Sequence, residues 1–227
     1  MLKKILANSL IASTSFCLLI SLVALLFRRE LLDWVNAPPE IQGMALSYLT
    51  IIMATLVFQF FINWMNGMLR GLGDATTVVK ILILLAALNV VFVPLFIRGV
   101  GPLPPQGVAG AAWGTALAAV STCIIGYLYL LRFNPYVDMQ NWDYRLDRRI
   151  IREVFVIGVP ASLQMMVISL AGVIIVSLVN RYGTTVTAAF GIGMQIDMLA
   201  TIPFMSIGMA VTTIAGHNLG ARKLDRV

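Results

Sequence analysis

The sequence predicts an all-α protein, a polytopic membrane helix bundle with six transmembrane helices. Of its 227 residues, 59% are hydrophobic and 11% are charged, and that charged fraction is far below the roughly 25% of a soluble domain. The apolar residues form blocks of roughly 17 to 30 residues that are almost free of charge, the length at which a helix crosses the hydrocarbon core. The short segments of alternating hydrophobicity that a membrane β-barrel needs do not occur.

Six apolar blocks carry this prediction, and they lie at about 5–27, 45–69, 78–97, 107–131, 154–180 and 185–214. Lys3 and Lys4 precede the first block. That block lacks a clear small-x-small cleavage site, which favours a retained span over a signal peptide. The fourth block opens with GVAGAAWGTALAA. Because small residues let membrane helices approach closely, we expect this helix in the middle of its bundle.

The positive charges set the predicted orientation, because Lys and Arg favour cytoplasmic loops. With the N-terminus inside and the spans alternating, four of the 16 basic residues fall outside, and the other twelve fall on the cytoplasmic side. We therefore expect a multi-pass protein of the plasma membrane, the inner membrane of a bacterium, with both termini in the cytoplasm. This distribution accounts for the formal charge of +6 without nucleic acid, so membrane lipid is the expected partner.

The longest polar stretch, residues 132–153, divides the chain. It separates four predicted spans from two and falls on the predicted cytoplasmic side. The sequence therefore predicts three parts: a first helical portion at 1–131, a cytoplasmic linker at 132–153, and a second helical portion at 154–227.

Asp197 is the most informative polar residue, because a carboxylate deep in a membrane helix costs a few kcal/mol on insertion scales and is usually retained for ion, proton or substrate handling. The alternative is a carboxyl group that bonds a neighbouring helix for packing alone. Uncharged amides need partners inside a membrane, so they should face protein or a wet cavity. The amides chosen as candidates with Asp197 are Gln195, Gln164, Asn63, Asn66 and Asn89.

Other features of the sequence have both a functional and a structural interpretation. Met194 belongs to a group of methionines in the last two spans, and flexible thioethers suit promiscuous apolar pockets but also fill ordinary gaps. Gly71, Gly73 and Asp74 form the GLGD signature of intramembrane aspartyl proteases. Asp74 falls at a predicted cytoplasmic turn, where it can cap the following helix. With no other enzyme motif, no cofactor and no metal are expected, and the sequence does not favour an enzyme.

Several stretches together resemble the multidrug and toxic compound extrusion (MATE) family of antiporters, in the order in which that family has them. They are LRGLGDATTVVK (69–80), LNVVFVPLFIRGVGPLPPQGVAGAAWGT (88–115), IGVPASLQ (157–164), YGTTVTAAFGIGMQID (182–197) and PFMSIGMAVTTIAGHNLGARKLDR (203–226). The resemblance covers nearly the whole chain and is closer to the branch described as DinF-like. The family has twelve helices in two lobes, and this chain is similar to its helices three to eight. The three predicted parts then correspond to an N-lobe portion, an inter-lobe linker and a C-lobe portion.

The resemblance implies secondary active efflux of diverse, often cationic compounds in exchange for protons or sodium, by alternating access. Asp197, Gln195, Gln164 and the three asparagines would then face a central cavity and bind substrate or ion, and 69–80 would be a cytoplasmic turn. One branch of the family places an acid in its seventh helix, where 154–180 has none. Missing helices or another chain would complete the two lobes. The alternatives are an incomplete, non-transporting membrane fragment and a related flippase of lipid-linked sugars.

Overall fold

The computed structural model describes residues 2–34, 39–99, 104–133, 142 and 144–226. In chain order, the helices are α1 (Leu2–Leu26), α2 (Arg28–Trp34), α3 (Pro39–Gly71), α4 (Ala75–Arg98), α5 (Gly107–Phe133), α6 (Arg148–Asn180) and α7 (Thr184–Gly220), followed by a 3₁₀ turn at Leu224–Arg226. Within the described ranges, every helix but α2 and the 3₁₀ turn is long and apolar enough to cross a membrane. The prediction of an all-α protein with six membrane-crossing helices is confirmed.

The chain divides into two compact units, residues 1–151 and 152–227. Part of the predicted linker at 132–153 lies outside the described residues, namely 134–141 and 143. Its described ends are helical, because α5 continues to Phe133 and α6 already begins at Arg148. The sequence also predicted no helix between the first two spans, where the short α2 lies. Its Glu30 in the first turn suits the positive end of the helix dipole.

Helix α5 packs closely along α4 in the first unit. Small residues recur every fourth position on α5, which places them on one face, and all are buried: Gly110, Gly114, Ala118, Thr122 and Gly126. A Cβ added to Gly110 would lie 2.3 Å from the carbonyl oxygen of Phe96, and one added to Gly114 would lie 2.6 Å from the Cα of Val93. The two backbones therefore touch where only glycine fits. The expectation that this helix lies in the middle of its bundle is confirmed, since α5 contacts both α3 and α4.

The buried core of the first unit lies at the end of the bundle where α1 begins and α3 ends. Its members, contributed by α1, α3, α4, α5 and the segment after α5, are Leu6, Ala7, Ile62, Met65, Met68, Leu69, Val78, Ile81, Ala119, Leu130 and Trp142. The ring of Trp142 packs against that of Trp64 at an angle of 59°, with the ring centroids 5.9 Å apart. The indole N–H of Trp64 in turn donates to the hydroxyl of Ser9, 3.3 Å away. Aromatic packing therefore holds the residues just before α6 against α1 and α3.

A polar clasp, formed by Lys4 and Asn8 of α1 with Arg145 and Asp147, reinforces this attachment. Asn8 is fully buried. Its Nδ2 donates to the Arg145 carbonyl at 3.1 Å, and its Oδ1 accepts from the Asp147 backbone N–H at 2.7 Å. Lys4 forms an ion pair of 2.8 Å with Asp147, whose other carboxylate oxygen accepts from the backbone N–H of Arg149. Asp147 thus caps α6 while it binds α1.

Replacing Asn8 with alanine should destabilise the first unit by about 1–3 kcal/mol, because the carbonyl of Arg145 and the N–H of Asp147 would lose their buried partner. Thermal unfolding of the purified protein in detergent would measure the loss. Asn63→Ala is the matched control, because Asn63 is exposed and its amide donates within its own helix. Equal melting temperatures for the two variants would contradict a stabilising role for the clasp.

The second unit consists of most of α6 and all of α7, joined by a short turn that ends at Gly183. Gly183 has φ of 94°, a left-handed conformation that glycine adopts without strain. Most described side chains of α6 and α7 are exposed. Their hydroxyl groups bond carbonyls four residues earlier in the same helix, as Ser177, Ser206, Thr212 and Thr213 do. Such bonds satisfy polar groups within a helix that presents its surface to lipid or to other protein.

Candidate functional site

Helix α3 carries two of the candidate amides on one side, because Asn63 and Asn66 lie three residues apart. Asn63 is exposed, and its Nδ2 donates to the carbonyl of Gln59 at 3.0 Å. Asn66 is only 2% exposed, and its Oδ1 has no hydrogen-bond partner among the residues that the structure describes. A buried amide oxygen without a donor is costly. Asn66 therefore offers an acceptor for a donor group or a cation.

Asn89 makes a similar arrangement on α4. It is half-buried, and its Nδ2 donates to the carbonyl of Leu85 at 2.9 Å. Asn63 and Asn89 thus both direct an N–H group into their own helix. What they leave for other partners is the carbonyl oxygen, a group that accepts hydrogen bonds and coordinates hard cations.

Asp197 lies thirteen residues after the start of α7, or about 20 Å along the helix axis. Its side chain is exposed, and within the described part of the chain no hydrogen bond or ion pair reaches it. Met194 lies three residues earlier, so it occupies the neighbouring position on the same side of the helix. Gln164 on α6 is also exposed. The second unit therefore presents an unpartnered carboxylate beside a flexible thioether.

Gln195 lies two residues before Asp197 on α7, and its side chain is exposed as well. Residues two apart on an α-helix do not face each other, and α7 is continuous through both positions. Gln195 and Asp197 therefore project from different sides of α7, so the grouping of Gln195 with Asp197 stays a prediction.

The structure divides the remaining candidates between the two units. Asn63, Asn66 and Asn89 belong to the first unit, whereas Gln164, Met194 and Asp197 belong to the second. The structure brings Asn63 together with Asn66 and Met194 together with Asp197. The first unit thus presents amide oxygens, and the second unit presents a carboxylate.

The turn at Gly71, Gly73 and Asp74 has a structural explanation. The N–H of Asp74 donates to the carbonyl of Leu69 at 2.9 Å, and the N–H of Gly73 donates to Arg70 at 3.0 Å. This is the Schellman pattern that ends a helix, and Gly73 supplies its left-handed residue with φ of 81°. Gly71 ends α3 with open space around it, so only Gly73 needs to be glycine.

Asp74 then starts α4. Its carboxylate accepts the backbone N–H of Thr77 at 3.0 Å, which satisfies one of the free N–H groups at the helix start. Hydrogen bonds from the side chain and backbone of Thr77, assisted by the charge of Lys80, hold the pKa of Asp74 below its ordinary value. Asp74 is therefore an ionised cap between two helices, in contrast to the proton-sharing carboxylate that an aspartyl protease needs.

An apolar groove of about 660 Å³ lies between α1, α3 and α5. Aromatic and aliphatic side chains line it, among them Leu10, Phe58, Phe61 and Tyr127. Neither this groove nor the clasp at Asn8 was predicted from the sequence. An asparagine one turn inside an apolar span was the available signal for the clasp, since such an amide must find a partner.

No group of three His, Cys, Asp or Glu side chains that could hold a metal occurs in the described ranges. Cys17 is buried and Cys123 is half-buried, and both are free thiols. The described candidate groups are a carboxylate, amide oxygens and apolar surfaces.

Comparison with known proteins gives three kinds of match. The family model described as MatE matches residues 1–95 and 160–227. The probable multidrug resistance protein YoeA of Bacillus subtilis is 27% identical over 229 residues, which cover all of this chain and 50% of that protein. YpnP, a probable multidrug resistance protein of the same organism, is 33% identical over 201 residues, which cover 87% of this chain and 43% of YpnP.

Among solved structures, a MOP superfamily transporter from Pyrococcus furiosus superposes with a TM-score of 0.87 at 29% sequence identity. The match covers 99% of this chain and 49% of the archaeal one. The chain thus spans about half the length of the relatives that it matches.

Proposed function

Because the chain belongs to the MatE family, we propose that it is part of a secondary active transporter that exports diverse, often cationic compounds in exchange for protons or sodium ions. Its matched relatives carry the names of multidrug resistance proteins, and the solved structure is that of a transporter. The protein is accordingly a transporter and no enzyme. In the proposed cycle, it alternates between states open to the two sides of the membrane.

Asp197 is the observation that carries this proposal. Its carboxylate lies about 20 Å into a membrane-length helix, and no described side chain neutralises it. An unpaired charge at such depth is expensive unless it meets water, an ion or a ligand. A proton or sodium ion that binds Asp197 removes this cost, as does a cationic substrate. Competition between ion and substrate for one carboxylate then provides exchange.

The other candidates support substrate and ion binding in the same proposal. The amide oxygens of Asn63, Asn66 and Asn89 would accept hydrogen bonds from a substrate or coordinate the coupling ion. Met194 beside Asp197 would contact the apolar body of a cationic compound, because a thioether adapts to different shapes. Gln164 adds an exposed amide on the neighbouring helix of the same unit.

The orientation belongs to the proposal as well. With both termini in the cytoplasm of a plasma-membrane protein, the turn at Gly73 and Asp74 and the clasp at Asn8 lie on the cytoplasmic side. Most of the basic residues then lie on that side too, as the positive-inside tendency requires.

Transport of a fluorescent organic cation, ethidium, into inside-out vesicles would test the function. We expect vesicles with a complete transporter that contains this chain to accumulate ethidium when the proton or sodium concentration is higher inside the vesicles than outside. Accumulation should stop when an ionophore removes this gradient. The 227-residue chain alone serves as the comparison, since it spans half the length of its relatives. Gradient-independent movement of ethidium, or movement only of lipid-linked sugars, would contradict the proposal.

A further inference from the structure

A second polar feature lies where α4 begins and α5 ends. Lys80 of α4 donates from Nζ to the hydroxyl of Tyr129 on α5 at 3.2 Å, and the same ammonium lies 5.5 Å from the centre of the tyrosine ring. The ring of Phe133 also packs against this ring, with centroids 4.7 Å apart. The Tyr129 ring is thereby fixed, and the ammonium and phenol are held next to each other.

Both side chains lie near the ends of membrane-length helices. Lys80 is five residues from the start of α4, and Tyr129 is four residues from the end of α5. At 1.5 Å per residue, these positions are about 6 to 8 Å from the helix ends. Lysine and tyrosine at this depth place their polar groups in the membrane interface. Arg132, three residues after Tyr129, adds a second positive charge on the same side of α5.

The Lys80 ammonium forms no ion pair among the described residues. Asp74, the nearest acid to it in the sequence, is engaged as the cap of α4. Lys80 therefore retains N–H groups, and the Tyr129 hydroxyl retains its own proton, for an external acceptor. An anionic oxygen accepts such hydrogen bonds most strongly.

An apolar slot of about 100 Å³ opens directly beside this pair. Lys80 and Tyr129 form its polar rim, and the other lining residues are Ile81, Leu84, Ile125 and Gly126. Gly126 contributes only backbone to the lining of the slot. A free phosphate ion would gain nothing from an apolar slot, whereas an acyl chain that continues from a phosphate would fill it.

We propose that Lys80 and Tyr129 bind the phosphate of an anionic phospholipid, with one acyl chain in the slot between α4 and α5. The site is separate from the transport residues and would hold a specific lipid against the α4–α5 pair. Basic pockets between membrane helices are known to recognise anionic headgroups, and each basic residue contributes roughly a fivefold increase in affinity.

Native mass spectrometry of the purified chain, titrated with phosphatidylglycerol or with phosphatidylethanolamine, tests the proposal. We expect stronger retention of phosphatidylglycerol by the wild-type chain. Lys80→Gln should weaken this retention about fivefold. Tyr129→Phe keeps the ring stack and removes only the hydroxyl group, so it should fold normally and weaken retention by about two- to fivefold.

Lys223→Gln is the matched control, because it removes the same charge from an exposed turn outside the membrane spans. It should leave retention unchanged. Equal retention of the two lipids by the wild-type chain, or equal effects of Lys80→Gln and Lys223→Gln, would overturn the proposal. Displacement of phosphatidylglycerol by inorganic phosphate would also overturn it, since that result would assign the site to the free ion.

Discussion

Replacing Gly114 with leucine should prevent α4 and α5 from packing and destabilise the first unit by about 3 kcal/mol or more. The Cβ atom alone would lie 2.6 Å from the Cα of Val93 and 2.8 Å from its backbone nitrogen. Backbone atoms inside a helix cannot turn aside as the end of a side chain can. The two helices would have to separate, and the close contacts that hold membrane helices together would be lost along their length.

Size-exclusion chromatography and thermal melting of the purified variants in detergent would measure this effect. Gly67→Leu is the matched control, because Gly67 is also helical and nothing lies within 4 Å of its Cβ position. That variant should be neutral or gain up to about 1 kcal/mol from helix propensity. Gly126→Ala should fall between them, because its Cβ would meet the flexible end of Met65 at 3.4 Å. Similar melting temperatures for Gly114→Leu and Gly67→Leu would contradict the packing argument.

The number of membrane helices and the central place of α5 could be predicted because both depend on local composition. A membrane span needs a long apolar run, and a helix in the middle of a bundle needs small residues. The clasp could not be predicted in the same way. Asn8 and Arg145 are 137 positions apart, and the amide of Asn8 bonds backbone groups. Because any residue can supply a backbone carbonyl, the sequence does not indicate which residue is the partner of Asn8.

The candidate site shows a different limit. The sequence was enough to place Asp197 and several amides within membrane spans. It was not enough to predict whether their side chains are exposed or buried. Asn66 is buried and Asn63 is exposed although they share a side of α3. The difference arises from neighbouring helices, which local sequence does not reveal. The separation of Gln195 from Asp197, in contrast, follows from helical periodicity alone and was available from the sequence.

Replacing Asp197 with asparagine should reduce ethidium efflux by a complete transporter about tenfold to a hundredfold. A hydrogen bond to a charged group contributes about 1.5–3 kcal/mol, and each 1.4 kcal/mol changes binding tenfold. Asparagine keeps the size of the side chain and removes its charge, so neither a proton nor a sodium ion could bind as before. Because asparagine has nearly the same shape as aspartate, the amount of protein in the membrane should stay the same.

Two further variants serve as a control and a comparison for this experiment. Asp225→Asn removes an exposed acid from the 3₁₀ turn after α7 and should leave efflux unchanged. Gln195→Ala changes the side of α7 that points away from Asp197, and it should reduce efflux less than Asp197→Asn does. Wild-type efflux by Asp197→Asn at normal expression would refute a transport role for this carboxylate. A large loss in Gln195→Ala alone would mean that the opposite side of α7 lines the transport pathway.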